Sequence, residues 1–141
     1  MTALKKLYEG PRDARGREIF PGYVPGAEEG EGGWGPWITG PAPGKSLLFA
    51  FGTGYFTNVV YEMAGWDYRN ANLDEALKAA EEKTAEKLDA NDANLAAFKA
   101  RGGKLILYHG WCDAAIPAQA VIDYYRSVTK KMGAKRTAEF V

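Results

Sequence analysis

The stretch Gly102-Gly103-Lys104-Leu105-Ile106-Leu107-Tyr108-His109-Gly110-Trp111-Cys112-Asp113 constrains the fold of this chain more than any other. Paired glycines stop a helix, an apolar run follows, and a short turn carries an acid. The core Leu105-Ile106-Leu107-Tyr108 is continuous rather than alternating. That pattern predicts a strand buried on both faces of a parallel sheet. A turn at the carboxyl end of such a strand is where α/β enzymes place their chemistry. The expected fold class is therefore α/β, with few parallel strands and covering helices.

A strand of that kind needs neighbours on both sides and a helix layer above and below. The 141 residues amount to about one domain. They offer two or three strand candidates, against about four to six strands in a typical sheet. The expectation is an incomplete sheet, either finished by a partner or cut from a larger protein. The alternative is a stand-alone non-catalytic α/β module that forms a homo-oligomer through the open edge or binds a ligand with its aromatic-rich segment.

The chain reads as two parts. Residues 1–66 are rich in glycine, proline and aromatic residues, as in Phe20-Pro21-Gly22, Val24-Pro25-Gly26 and Gly32-Gly33-Trp34-Gly35-Pro36-Trp37. Such pairs forbid long helices, while the aromatic content argues against a disordered linker. A short apolar element at Leu47–Phe51, a break at Gly52-Thr53-Gly54 and a short helix within Tyr55–Met63 are expected here.

Residues 67–141 are regular. Asn72 followed by Glu75 has the form of a helix N-cap. Leu73, Ala76, Leu77, Ala80, Thr84 and Leu88 fall at helical spacing, predicting an amphipathic helix over 73–88. A second helix is expected over 92–101, ended by Gly102. A strand is expected over 104–109. A third helix should open at Pro117 and stop at Gly133. Thr137–Val141 should begin another strand, so that strand, turn, helix and strand form a right-handed crossover.

Composition excludes some functions. Net charge is zero and the isoelectric point is about 6.6, which argues against nucleic acid or an anionic membrane as partner. No apolar run is long enough to span a bilayer, and Met1–Lys6 has no apolar signal-peptide core. With one His, two Ser and one Cys, most multi-residue catalytic sites cannot be assembled from this chain alone.

The motifs are few. Gly40-Pro41-Ala42-Pro43-Gly44-Lys45-Ser46 is similar to a phosphate-binding loop. It fails because Thr39 stands where the first glycine belongs, and a turn before a strand is the expectation. His109, Cys112 and Asp113 are of metal-ligand type, but structural sites usually draw their ligands from two separated segments. No metal or other cofactor is expected. Cys112 reads as a small packing residue, and His109 as a cap on the strand end through a backbone hydrogen bond. Ser46 and Ser127 lack the Gly-x-Ser-x-Gly context of a nucleophile, and Cys112 with His109 makes a poor nucleophile–base pair. Glu28, Glu29 and Glu31 read as a solvated acidic loop. Asp113 remains, balanced between capping the following turn and serving as the acid of a catalytic triad.

The stretch Leu95–Asp113, continuing through Ile116-Pro117 to Asp123-Tyr124-Tyr125, resembles the tannase and feruloyl esterase family of α/β-hydrolases. That family commonly reads Ala where Cys112 stands. Lys6-Leu7-Tyr8-Glu9-Gly10-Pro11, followed by Ile19-Phe20-Pro21-Gly22 and Gly33-Trp34, is similar to the end of the lid inserted in its catalytic domain. The resemblance implies a C-terminal portion, with 1–66 derived from the lid and 67–141 from the hydrolase domain. It places the triad acid on Asp113. It implies a serine nucleophile upstream of the lid and a histidine base just past the last expected strand, and neither position exists here. The family's calcium-binding lid loop has no counterpart. The implied substrate is an ester of a phenolic acid, with Trp34, Trp37, Tyr55 and Phe56 as candidates for the pocket wall. For the full-length protein the resemblance implies a secreted or periplasmic location.

Overall fold

Two stretches of this chain open an α-helix on a capping side chain, Ser46 and Asn72. The computed structural model describes residues 2–26 and 28–141. Six α-helices follow one another: α1 Thr2–Glu9, α2 Leu47–Tyr55, α3 Leu73–Leu88, α4 Ala96–Ala100, α5 Gln119–Met132 and α6 Ala134–Thr137. Wide five-residue helical turns occupy Gly35–Thr39 and Phe56–Val60.

α3 spans the residues its periodicity predicts. Asn72 Oδ1 accepts the amides of Asp74 and Glu75 at 2.9 and 3.2 Å, satisfying two donors that the first turn leaves open. Ala76 and Thr84 are its buried residues, and Thr84 Oγ1 lies 2.7 Å from the Tyr55 hydroxyl at the end of α2. Asn72→Ala is expected to destabilise the chain by about 1 kcal/mol, read as a lowered midpoint in urea unfolding at unchanged slope. An unchanged midpoint would show that the cap contributes nothing.

The apolar run from Leu47 opens a helix. Ser46 caps α2 by accepting the Phe49 amide at 3.3 Å, so the proline-rich turn leads into a helix and not into a strand. Gly52 and Gly54 do not break it. Thr53 Oγ1 bonds back to the Phe49 carbonyl at 2.7 Å inside α2, and Phe51 stacks on Trp37 at 6.0 Å.

The α/β expectation fails. Among the described residues there is no strand and no sheet, only one isolated antiparallel bridge between Arg12 and Glu18. Residues 104–109 are extended, yet their one backbone hydrogen bond is from Leu105 N–H to the Phe140 carbonyl, 2.7 Å. A ladder needs neighbouring strands, and none is formed among the described residues. Burial alternates along the run: Leu105, Leu107 and His109 are half-buried, while Ile106 and Tyr108 are 86% and 90% exposed. One face packs and the other is open, so a continuous apolar run did not signal burial on both faces.

The C-terminal strand is corrected too. Gly133, at φ 87°, reverses the chain between α5 and α6, a conformation that suits glycine. Thr137, wholly buried, ends α6 with its hydroxyl on the Gly133 carbonyl at 3.0 Å. The chain then turns so that Phe140 is buried and meets Phe98 of α4, ring centres 6.4 Å apart. α4 itself is shorter than the helix expected over 92–101, and Gly102 at φ 77° follows its end.

The glycine-rich N-terminal segment is irregular and tightly fitted. The Tyr23 amide donates to the Leu7 carbonyl at 3.0 Å, tying residues 21–23 to the end of α1. A Cβ on Gly22 would lie 2.2 Å from the Tyr8 carbonyl oxygen, so only glycine allows this approach.

Candidate active site

The turn between the extended run and α5 holds the side chains with chemistry. The Asp113 amide closes it on the Gly110 carbonyl at 3.2 Å. Asp113 Oδ1 accepts two amides from the residues that follow, Ala115 at 2.8 Å and Ile116 at 3.0 Å. This is the side-chain turn that an aspartate makes ahead of a helix. Both of its strong contacts use one oxygen. The other, Oδ2, lies 3.8 Å from His109 Nε2, and the side chain retains 35% exposure.

The Ile116 amide holds the Asp113 carboxyl below the ordinary aspartate range, helped by the Ala115 amide and the nearby His109 against the opposing effect of partial desolvation. A lowered carboxyl pKa means the charged form steadies the turn. That contribution is complete above the ordinary aspartate pKa and is lost as pH falls through the lower, folded value. Carbon-13 titration of this carboxyl group should therefore give a midpoint below that of an unstructured aspartate. A midpoint at or above it would contradict the hydrogen-bonded turn.

His109 Nε2 is 2.8 Å from the Ile116 carbonyl oxygen. A carbonyl only accepts, so Nε2 carries the hydrogen. His109 makes a backbone hydrogen bond, but among the described residues there is no strand for it to cap, and the nitrogen nearest Asp113 is occupied. Cys112 is exposed, and its thiol donates to the Gly26 carbonyl at 3.1 Å. Among the described residues neither serine meets His109 or Asp113. Ser46 caps α2 and Ser127 bonds the Tyr124 carbonyl at 2.7 Å within α5. No group of three His, Cys, Asp or Glu side chains among them could hold a metal ion.

Sequence reasoning missed the platform beneath this turn. The Tyr23 hydroxyl donates to the Ala115 carbonyl at 3.3 Å, and Trp111 Nε1 donates to the Pro25 carbonyl at 3.2 Å. With the Cys112 thiol, three hydrogen bonds join the acid turn to residues 23–26. Burial pushes the Tyr23 phenol up, and the negative charge of Asp113 adds to it. Glu28 is not merely solvated: it accepts the Tyr8 hydroxyl and the Gly26 amide. Ala114, buried in the middle of the turn, packs with buried Trp34, around which Leu7, Tyr8, Tyr23, Trp37 and Ile38 gather. Trp34 is thus a core residue. Phe56 belongs to a stack with Tyr61 and Trp66, at 6.2 and 5.0 Å, and Tyr55 packs edge-on against Phe56 at 5.3 Å. No single motif signals Tyr23, whose partner lies 92 residues away.

The whole chain, residues 1–141, matches the family model described as tannase and feruloyl esterase. The chain belongs to this family. It is 35% identical to an uncharacterized esterase of Xanthomonas campestris pv. campestris over 93% of its own length and 24% of that protein's. It is 36% identical to feruloyl esterase B of Aspergillus niger over 57% of its length and 15% of that protein's. The crystal structure of feruloyl esterase B from Aspergillus oryzae superimposes with a TM-score of 0.81 at 21% identity, covering 99% of this chain and 26% of that one. This member of the family therefore spans about a quarter or less of the relatives it matches, and its fold is similar to that of the matched part of the Aspergillus oryzae enzyme.

Proposed function

We propose that this chain is the acid-bearing portion of a carboxylic ester hydrolase acting on esters of phenolic acids, with Asp113 as the acid of a Ser-His-Asp triad. The observation that carries the reading is the division of labour within one carboxylate. Oδ1 is taken by two backbone amides of its own turn, which fixes the group's direction and holds it ionised. Oδ2 makes no contact that short and can accept the N–H of an incoming imidazole. A triad acid does this: it holds the histidine in the productive tautomer and stabilises the imidazolium that forms as the serine attacks the ester carbonyl.

The serine and the base histidine come from outside this chain. Its own serines are engaged with helix backbone, Ser46 capping α2 and Ser127 within α5, and its single histidine donates from Nε2 to a backbone carbonyl. Family membership and the 35% identical esterase support the reaction class.

The test is to assay the complete polypeptide on methyl ferulate and methyl gallate, with the 141-residue chain in parallel. Hydrolysis by the former and none by the latter is expected. A complete polypeptide inactive on both esters would overturn the reading. So would enzyme-like turnover by the 141-residue chain that is lost on Asp113→Asn.

A second reading rests on the exposed Ile106 and Tyr108: a non-catalytic module that self-associates through this segment, whose backbone amides at 106–108 have no partner among the described residues. Sedimentation of the 141-residue chain separates the two. A well-defined oligomer favours the module. A monomer, or ill-defined aggregates, favours the fragment.

A further inference from the structure

We propose that His109 is a positioning residue that locks the Asp113 turn from outside; the inference deepens the reading of Asp113 as triad acid and rests on it for its kinetic consequence. The peptide unit flanking Ile116 explains why. Asp113 Oδ1 accepts the Ile116 N–H at 3.0 Å, and His109 Nε2–H donates to the Ile116 carbonyl at 2.8 Å. Both polar groups of one residue are thus held by two side chains of one turn, His109 and Asp113. Pro117 follows, and a residue before proline is confined to extended backbone. Both bonds are made from one backbone conformation of Ile116, so each favours the geometry the other needs. The Ala115 carbonyl is held from the other side by the Tyr23 hydroxyl, so His109 is the tie that the turn and the end of the extended run supply themselves.

The same bond decides what His109 cannot do. Its Nε2 carries the hydrogen and points at a carbonyl, so this nitrogen cannot take a proton from a nucleophile. In the neutral ring the acceptor is Nδ1. The ring's separation from Asp113 Oδ2, 3.8 Å, is beyond a hydrogen bond. His109 thus leaves Oδ2 to another imidazole while holding the loop that aims it.

The chain contains one histidine, which makes the test unambiguous. Nitrogen-15 NMR of the neutral ring in the 141-residue chain is expected to show a protonated Nε2 and a bare Nδ1. Amide exchange at Ala115 and Ile116 is expected to speed up by about tenfold in His109→Ala, as loss of one intramolecular hydrogen bond implies. His109→Gln, whose amide can still donate, should restore most of the protection. In the complete hydrolase His109→Ala should lower kcat by about tenfold or more with little change in KM, and His109→Gln should recover it.

An Nδ1-protonated ring, or unchanged protection in His109→Ala, overturns the proposal. If His109→Ala fails to fold, the wild-type tautomer and the glutamine variant still decide it: a bare Nε2, or exchange in His109→Gln as fast as in an unstructured loop, would overturn it. The underlying reading fails separately. If Asp113→Asn leaves hydrolysis intact, Asp113 is not the acid, whatever the tautomer of His109.

Discussion

With Asp113 as the proposed triad acid, Asp113→Asn in the full-length protein is expected to lower kcat on methyl ferulate by about four orders of magnitude, the loss seen when a triad acid becomes an amide. The substitution is nearly isosteric. An asparagine Oδ1 still accepts the Ala115 and Ile116 amides, so the turn and its packing against residues 23–26 should persist. What changes is the second atom, where an anionic acceptor becomes an N–H₂ donor facing the imidazole. The histidine then takes the wrong tautomer and its protonated form loses its counter-charge. KM should move little, because the role proposed for Asp113 is to orient the base and not to hold the ester. A variant with unaltered circular dichroism and activity within tenfold of wild type would remove Asp113 from the mechanism.

Trp34→Ala is expected to cost about 3–5 kcal/mol of stability, roughly 10 °C or more in Tm for a chain of this size. Trp34 is 5% exposed and lies 5.5 Å from the Tyr8 ring and 5.9 Å from the Tyr23 ring. It also covers Ala114, inside the acid turn. Truncation would open a cavity between the N-terminal segment and that turn, loosening the Tyr23 contact with Ala115. Trp34→Phe should be far milder. It keeps most of the ring packing and removes an indole N–H that is buried without a partner among the described residues, whose burial is itself costly. Equal losses in the two variants would mean that ring packing is not what Trp34 supplies. Chemical denaturation of both variants makes the comparison.

Legibility followed range. α3 was readable to the residue because its cap and stripe are separated by a few positions. The stop of α5 at Gly133 was readable because a left-handed residue ends a helix locally. The run at 104–109 was misread because an apolar segment reports that it can be buried, while its neighbours decide on which faces. Gly52-Thr53-Gly54 was misread because propensity is a weak preference, and here helix α2 runs through it with Thr53 bonding back to Phe49 and Phe51 stacked on Trp37. Asp113 was legible as a candidate from its place between an apolar run and a helix, although α5 begins at Gln119, two residues past Pro117. Its partners split by distance: the amides of Ala115 and Ile116 are implied by a short acid-led turn, whereas Tyr23, Pro25 and Gly26 are not.

From residue order alone came what local geometry enforces: where helices are capped and stopped, that one acid sits on a turn, and that a single histidine and two serines leave little catalytic choice. Contacts across 86 to 92 residues determined the rest: that the glycine-rich segment forms the platform of the acid turn, that Trp34 is core, and that the extended run packs on one face. Such contacts depend on which surfaces meet once the chain has folded back on itself, and neither composition nor periodicity encodes that pairing.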